Sequence, residues 1–283
     1  MSATQQQEAG LAAETNPYAP MTARLEEVIV ETPTIRTFVL RPERPLPFRA
    51  GQFVQLTVPG LGEAPFTPSS SPSQPQRIEV TVLRTGVVTD ALHEQQPGVT
   101  LGLRGPFGKG YPIEKFNGQH ILIVGGGVGL APLRSLILSM SEQPERFEKV
   151  SIKYGAREPA ELLFWRSYDQ WAAQPRFSFE CTVDRGDEQW HGRVGVVTTL
   201  LNNLDVDISR AYAVSCGPAV MLRFVTLRLT QLGFKPEQIY LSMNRRMSCG
   251  IGKCGRCAIG PYYLCKDGPD ICYAKIKDYP NVF

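Results

Sequence analysis

Four cysteines near the C-terminus could hold a redox metal centre. Cys249, Cys254, Cys257 and Cys265 follow the spacing C-x4-C-x2-C-x7-C. The first three match the plant-type spacing of cysteines that bind a [2Fe–2S] cluster through their thiolates. Glycines between them suit a loop whose backbone N–H groups point at sulfur. A structural zinc site is the alternative, because four closely spaced cysteines also bind zinc tetrahedrally.

A second feature is a glycine-rich run at the end of an apolar strand. Gly125, Gly126, Gly127 and Gly129 follow the stretch HILIV and precede a helical pattern. Glycines let a phosphate approach the backbone, and a helix N-terminus attracts a pyrophosphate at such a turn. The run is not G-x-G-x-x-G, because Leu130 occupies the last position. A tight strand-to-helix crossover without a ligand is the alternative.

The third feature, Cys216-Gly217-Pro218, also ends an apolar strand. A thiol at that point would lie at the mouth of a sheet, near the glycine-rich turn. The alternative is a buried cysteine beside a proline that begins a helix.

The elements that must position these residues fall into four parts. Residues 1–20 are polar and aperiodic, which predicts a flexible tail. Residues 21–115 contain short β-rich runs separated by Pro/Gly-rich turns, and one helical piece at 89–94, which predicts an antiparallel barrel or sandwich. Residues 116–240 alternate strands with helices and predict a doubly wound parallel sheet. Residues 241–283 form a short cluster-binding segment.

Within the third part, the pattern predicts helices over residues 159–174 and 195–204 and a last strand in QIYLSM. The cysteine segment that follows is too short for a separate ferredoxin domain. We therefore expect a small cap standing on the nucleotide-binding part, with its cluster close to the surface.

Composition excludes several classes of protein. The net charge of +3 and the lack of a basic run argue against nucleic-acid binding. The longest apolar stretch, residues 121–133, is too short to span a membrane, and residues 1–20 contain no secretory signal. Thiolate ligands need reduced cysteines, which fits the cytoplasm. The three histidines are scattered, and no Ser/His/Asp set is evident.

In this order, the motifs GGGVGLAP, YGAREPAELLF and CGPAVM resemble the ferredoxin–NADP reductase superfamily. With the cysteine tail, the sequence resembles a narrower group: the electron-transfer (gamma) subunits of cytoplasmic NAD(P)-linked [NiFe] hydrogenases and sulfhydrogenases, and the similar subunit of dihydroorotate dehydrogenase. This resemblance implies three cofactors: FAD in the barrel, NAD(P) in the α/β part and a [2Fe–2S] cluster in the tail.

For the dinucleotide, the resemblance places the four glycines of the run against the pyrophosphate. It places Cys216, Gly217 and Pro218 beside the nicotinamide, with Cys216 as the catalytic residue. Tyr154 to Arg157 match the strand near the adenosine. Arg157 would contact a ribose phosphate or, equally, form a surface salt bridge.

For the flavin, the superfamily signature Arg-x-Tyr/Phe-Ser/Thr aligns with residues 63–70, where Ala64 replaces the arginine that normally neutralises the pyrophosphate. Phe66 would lie against the isoalloxazine, and the Thr67 hydroxyl would bond the ring. A proline-rich hairpin loop is the alternative. The other expected flavin contacts are Ser69, Ser70, Gly86, Val88 and Thr89.

A hydride donor, a flavin and a one-electron cluster on one chain predict an electron-transfer subunit. Electrons leaving the cluster must reach another polypeptide, so we expect catalytic and iron–sulfur subunits as partners, those of a [NiFe] hydrogenase in the first place. Alternatives are the equivalent subunit of a sulfite reductase, a dihydroorotate dehydrogenase or a bifurcating transhydrogenase. A zinc-stabilised binding module without flavin is the alternative of another class.

Overall fold

The first half of the chain forms an antiparallel sheet that closes into a barrel. The computed structural model describes residues 16–283, so most of the predicted tail lies outside the described residues. The six strands are β1 (Met21–Val30), β2 (Ile35–Pro42), β3 (Phe53–Val58), β4 (Gly62–Phe66), β5 (Ile78–Leu83) and β6 (Thr100–Phe107). They pair in the order β4-β3-β6-β1-β2-β5. A bridge between Pro68 and Val80 joins the two edges, which closes the sheet as predicted.

The barrel interior is filled by side chains that alternate along the strands. Val54 and Leu56 of β3 are buried in it together with Phe38 of β2. Gln55 lies between the two β3 residues and faces the opposite side of the sheet, yet it is also fully buried. The C-terminal segment covers it there, since the Gln55 amide donates to the carbonyl of Met247. β3 is therefore covered on both faces.

Two features of the barrel differ from the sequence prediction. Helix α1 (Val87–His93) begins at Val87 rather than at Thr89. β4 occupies a stretch that we predicted to be a Pro/Gly-rich turn. Its continuous pairing with β3 outweighs the weak strand propensity of glycine and proline, which are tolerated at an edge.

The second half contains a mostly parallel sheet, as predicted. Its strands in this part of the chain are β7 (His120–Gly126), β8 (Lys149–Ala156), β9 (Phe177–Val183), β10 (Arg193–Val194), β11 (Ala211–Cys216) and β12 (Ile239–Ser242). They lie in the order β10-β9-β8-β7-β11-β12 and run parallel. Chain order reverses between β7 and β11, which makes that junction the topological switch point of the sheet.

Helices cover both faces of this sheet. Helix α2 (Leu130–Ser141) buries Leu133 and Leu136 in the same core as Ile121 and Ile123 of β7. Leu122 and Val124 of β7 face the opposite side of the sheet. There they lie in a second hydrophobic core with buried residues of a later helix, α4 (Ala219–Gln231). Helix α3 (Tyr168–Ala172) lies between α2 and α4 in the sequence. Across residues 16–283, no helix has the length and apolar character needed to cross a bilayer.

The prediction of two long helices in this half is wrong. Residues 159–174 contain only two 3-10 turns and the five-residue α3. Phe164 adopts a left-handed φ of 58°, which interrupts any helix at that point. Residues 195–204 contain a single 3-10 helix, Val197–Leu201. The β-branched residues there have low helix propensity, and the Thr199 hydroxyl bonds the Val196 carbonyl instead.

The cysteine segment contributes a strand to the second sheet. After a small hairpin, β13 (Ala258–Ile259) and β14 (Tyr262–Tyr263), and helix α5 (Leu264–Asp267), strand β15 (Asp270–Cys272) pairs antiparallel with β12. The expectation that QIYLSM is the last strand is therefore wrong. The segment supplies the edge strand of this sheet and thereby pairs the edge that β12 would otherwise present to solvent.

Candidate functional site

The two predicted strand-end turns meet at the switch point. β7 and β11 pair in register, so that Gly125 lies opposite Cys216. The glycine-rich turn (residues 125–129) and the Cys-Gly-Pro turn (residues 216–218) therefore leave the same edge of the sheet side by side. Ligands of open α/β sheets bind at this position, outside the carboxyl ends of the strands.

The two turns touch through their backbones. A Cβ on Gly129 would lie 2.6 Å from the carbonyl carbon of Cys216 and 2.7 Å from the Cα of Gly217. Met221 of α4 lies over the other side of the same contact, since a Cβ on Gly217 would meet its sulfur at 2.7 Å. Gly129 must be glycine because backbone atoms occupy the space of a side chain, whereas at Gly217 the obstacle is the flexible end of the Met221 side chain.

The glycine-rich turn is accessible on its outer side and is fixed by hydrogen bonds on its inner side. Gly127 has a φ of +53°, and a Cβ at this residue would meet no atom within 4 Å, so its outer side is free for a ligand to approach. The Tyr154 hydroxyl donates to the Gly127 carbonyl at 3.2 Å and accepts the N–H of Leu163 at 3.2 Å. Helix α2 then begins at Leu130 without a side-chain N-cap, and the positive end of its dipole favours an anion. This geometry fits a pyrophosphate.

Cys216 is buried at the end of β11. Burial, only partly offset by the Ser242 hydroxyl, raises the pKa of its thiol to about 12. The thiol is therefore neutral at ordinary pH and offers a contact surface for a ring rather than a nucleophile. Pro218 and Arg157 are exposed at the same edge of the sheet, Arg157 directly after β8. Their predicted contacts with the nicotinamide and the ribose stay predictions.

The predicted flavin residues lie where β4 leaves the barrel. Phe66 ends β4 and packs against the barrel core, half-buried, and Thr67 follows it. On the neighbouring α1, Val88 packs near Gly62 of β4, 3.6 Å from the position of a Cβ there. Strand β4 and α1 are therefore neighbours on the barrel surface. A flavin contact for these residues remains a prediction.

Three hydroxyls assigned to the flavin are used inside the protein. Thr89 accepts the N–H groups of Thr85 and Gly86 at 2.8 and 2.9 Å, and it donates to the Gly86 carbonyl. Ser69 shares a hydrogen bond of 2.8 Å with Thr81, and Ser70 accepts the N–H of Glu79. These bonds fix the backbone beside β4 and at the start of α1.

Arg134 is a residue of this region that sequence reasoning missed. It lies on α2, donates to the Ser69 carbonyl at 3.0 Å and pairs with buried Glu79. Its guanidinium also lies 4.7 Å from the centre of the Phe164 ring. Arg134 thus connects the barrel with α2, and it shares the Glu79 carboxylate with Arg77.

The cysteine loop (residues 249–257) directs backbone N–H groups at sulfur. Lys253 N–H donates to the Cys249 sulfur at 3.3 Å, and Gly252 N–H donates to the Cys265 sulfur at 3.1 Å. Positive φ angles at Gly250, Gly252 and Gly255 produce this conformation. The arrangement suits anionic sulfur ligands.

The four thiols lie together in two pairs. Burial raises the pKa of Cys249, but N–H groups of residues 251, 253 and 254 outweigh burial and lower it to about 6, and the Cys254 thiol lies beside it. Burial and the adjacent Cys257 thiol raise the pKa of Cys265 to about 12. In the part of the chain that the structure describes, no three His, Cys, Asp or Glu side chains converge on one metal-ion position. Two thiol pairs with N–H donors fit an iron–sulfur group.

The barrel holds the cysteine loop in place. Arg104 of β6, whose side chain is 3% exposed, forms a two-pronged ion pair with Glu63 and donates to the Cys249 carbonyl at 3.4 Å. The Phe107 ring lies 2.9 Å from the position of a Cβ on Gly250. Beside this contact, a cleft of about 610 Å³ separates β4 from the cysteine segment. Arginines 245, 246 and 256 line it.

Asp270 of β15 was also missed. It is 5% exposed, and burial raises the pKa of its carboxyl to about 8. Its register places it beside Ser242 of β12, which is itself beside Cys216. The only signal in the sequence was an acidic residue at the start of the apolar stretch DICY, which periodicity alone does not separate from a loop.

Three family models match successive parts of the chain. Residues 22–111 match the FAD-binding domain of oxidoreductases, and residues 123–226 match the NAD-binding domain of oxidoreductases. Residues 244–277 match the iron–sulfur cluster binding domain of dihydroorotate dehydrogenase B. FAD, NAD and iron–sulfur binding are thus supported in the order that the sequence motifs predicted.

Relatives match over almost the whole chain. The gamma subunit of sulfhydrogenase 1 from Pyrococcus furiosus is 34% identical over 279 residues, which cover 94% of this chain and 95% of that protein. A probable dihydroorotate dehydrogenase B (NAD(+)) electron transfer subunit from Methanocaldococcus jannaschii is 34% identical over 261 residues, which cover 91% of each chain.

The fold also matches that of a solved structure, an NADH-dependent reduced ferredoxin-NADP oxidoreductase, with a TM-score of 0.72 at 23% identity. The match covers 90% of this chain and 91% of that one. The barrel, the doubly wound sheet and the relatives agree with one another. The chain belongs to the family of sulfhydrogenase gamma subunits and dihydroorotate dehydrogenase electron-transfer subunits, within the ferredoxin–NADP reductase superfamily.

Proposed function

We propose that this chain is the electron-transfer subunit of a redox complex, exchanging hydride with NAD(P)(H) and single electrons with a partner subunit. The observation that carries the proposal is the succession of FAD, NAD and iron–sulfur domains along one chain. A bound flavin takes up a hydride and gives up its electrons singly, so it connects a two-electron donor with a one-electron cluster. The domain boundaries that we propose are 21–115, 116–240 and 241–283.

Each part of the chain has its own task in this proposal. The strand-end turns bind the dinucleotide, with Cys216 and Pro218 against the nicotinamide and the glycine-rich turn against the pyrophosphate. The surface formed by β4 and α1 holds the flavin, with Phe66 and Thr67 at the ring. The cysteine loop carries the electron exit, because it lies on the barrel through Arg104 and Gln55 and exposes Cys254 to solvent.

We propose a [2Fe–2S] cluster in this loop. Each iron of such a cluster takes two thiolates, and the pairing of Cys249 with Cys254 and of Cys257 with Cys265 supports this arrangement. The seven cysteines, all in the described part, are free thiols, which supports a reducing compartment such as the cytoplasm.

Anaerobic purification tests the proposal. We expect bound flavin, iron and an EPR signal after reduction by dithionite and by NADH or NADPH. Cys257→Ser should remove the iron and keep the flavin, whereas Cys181→Ser, a half-buried cysteine outside the loop, should keep both. A colourless protein that contains zinc would favour the zinc-stabilised module and refute the proposal.

We propose a [NiFe] hydrogenase as the partner complex, supported by the matched gamma subunits of Pyrococcus furiosus sulfhydrogenases. A dihydroorotate dehydrogenase partner is the second candidate, supported by the family model of the cysteine segment. Isolation of the native complex separates them. Nickel in the copurified partner would identify a [NiFe] hydrogenase, and reduction of orotate by the complex would identify a dihydroorotate dehydrogenase. Parallel titrations with NADH and NADPH determine which dinucleotide the chain uses.

A further inference from the structure

Asp270 is a buried carboxyl without an ordered partner. Neither of its oxygens forms a hydrogen bond of good geometry within residues 16–283, although the Ser242 and Tyr111 hydroxyls lie close enough to it to lower its pKa. The Tyr111 hydroxyl also lacks a partner of good geometry. A buried polar group in this condition is costly and needs a reason. The catalytic and structural roles assigned so far use none of these atoms.

The position of Asp270 connects it with the nicotinamide site. Cys216, Ser242 and Asp270 are register partners on β11, β12 and β15, so they form one row across three adjacent strands. Two strand spacings separate the backbones of Cys216 and Asp270, about 10 Å. The row ends at the switch point, where the Cys-Gly-Pro turn begins.

The barrel covers the Asp270 end of this row. Gly51 approaches so closely that a Cβ there would overlap the Asp270 carboxylate, and the same Cβ would lie 2.8 Å from the Tyr111 ring. Gly51 has a φ of +91°, which few other residues adopt. Asp270 therefore lies where the barrel, the nucleotide-binding sheet and the cysteine segment meet, five residues beyond Cys265.

Among the titratable groups at this position, Asp270 is the one that titrates near neutral pH. Burial raises its pKa to about 8, although the nearby Ser242 and Tyr111 hydroxyls lower it somewhat. Tyr111, from the barrel, has a pKa raised well above its ordinary value by burial. Cys216, from β11, has a pKa raised to about 12 for the same reason. Both are neutral between pH 6.5 and pH 9.

We propose that Asp270 is a proton-exchanging positioning residue of the nicotinamide site. It holds a proton while the site is empty or contains the neutral reduced ring, and it releases that proton to solvent when the cationic oxidised ring binds beside Cys216. The inference rests on the proposed function, since it places the nicotinamide at Cys216. The cation stabilises the ionised carboxyl, and the ionised carboxyl in turn favours the oxidised ring.

The size of the effect follows from electrostatics. A unit charge about 10 Å away, at an effective dielectric constant of about 20, shifts a pKa by about one unit. NAD+ binding at pH 7.5 should then release about half a proton. By the same linkage, NAD+ affinity should rise about sevenfold between pH 6.5 and pH 9, while NADH affinity changes little.

Calorimetric titration of the oxidised holoprotein with NAD+ and with NADP+, in phosphate and in Tris buffer, measures the proton release directly. We expect the wild type to release about half a proton, Asp270→Asn to release none, and both to bind the dinucleotide. Asp278→Asn removes an exposed carboxylate from the same segment and should behave as wild type. A 2′-phosphate of NADP+ titrates equally in all variants and cancels in the comparison.

Tyr111→Phe gives a second test that keeps the carboxyl. Because the Tyr111 hydroxyl lowers the pKa of Asp270, its removal should move the pH of maximal proton release upward. Equal proton release from wild type and Asp270→Asn, with the dinucleotide bound, would overturn the inference alone. If a wild-type protein loaded with flavin and iron binds neither dinucleotide, the proposed function fails and the inference fails with it.

Discussion

The strand-end turns of the switch point and the cysteine loop both depend on glycine, but for different physical reasons. Gly129 has an ordinary helical φ of −62° and is required because the Cys216 backbone occupies the space of a side chain. Gly255 has a φ of +74° with nothing near its Cβ position. Gly129 is therefore required because a side chain would have no space, and Gly255 because its backbone is in the left-handed region.

The two regions are also stabilised differently. At the switch point, the backbones of two parallel strands and their turns interlock at the centre of the sheet. The cysteine loop lies at the surface and is held from outside, by Gln55 and Arg104 of the barrel. The proposed dinucleotide site is thus preformed by the fold, whereas the proposed cluster site depends on side chains of the barrel and on its own cysteines.

Asparagine substitution should separate the two glycine requirements with the largest effect. Asparagine tolerates left-handed φ but needs side-chain space. Gly129→Asn should therefore cost about 3 kcal/mol or more of unfolding free energy, because it forces two backbones apart. Gly255→Asn should cost less than about 1 kcal/mol and keep the iron. Urea unfolding and iron analysis measure both.

A matched control lies within the glycine-rich turn itself. Gly127 has a φ of +53° and open space, like Gly255, yet it belongs to the switch point. Gly127→Asn should therefore be tolerated in the fold. If Gly127→Asn unfolds the protein as strongly as Gly129→Asn, conformation and space are not separate requirements and the comparison fails.

The external support of the cysteine loop predicts the next largest effect. Arg104→Met removes the ion pair with Glu63 and the contact with the Cys249 carbonyl, at a cost of about 2 kcal/mol. The loop should then lose its iron to a chelator several times faster. Arg84→Met removes a half-exposed ion pair with Asp90 and should change stability by less than about 0.5 kcal/mol. Equal iron loss in the two variants would show that the barrel does not hold the loop.

The same contrast explains how far the sequence could predict the structure. A continuous apolar run followed by glycines identifies β7 and its turn, because both the strand period and the turn chemistry are local. The meeting of Gly125 with Cys216 also followed, since parallel strand ends share one edge. The spacing of the cysteines predicted their grouping in one loop for a similar reason.

Long-range contacts could not be predicted in this way. β15 consists of three residues, and its strand character comes from pairing with β12. Neither Asp270 nor Arg134 belongs to a motif, and each acquires its environment from elements distant in sequence. The helix expected over residues 159–174 failed because tertiary contacts place Phe164 in a left-handed conformation. Local propensity does not contain that information.

The smallest effect that we predict concerns the side-chain support of the glycine-rich turn. Tyr154→Phe removes the hydroxyl that joins the Gly127 carbonyl to the Leu163 N–H. Losing one buried hydroxyl bridge should cost about 1 kcal/mol and weaken dinucleotide binding a few-fold, because the turn loses its anchor. Tyr168→Phe is the matched control, since its hydroxyl donates to the Leu163 carbonyl and does not reach the turn. It should lower the melting temperature without changing the dinucleotide Kd. Equal Kd values for the two variants would mean that the interlocked backbones alone hold the turn, which would strengthen the contrast with the cysteine loop.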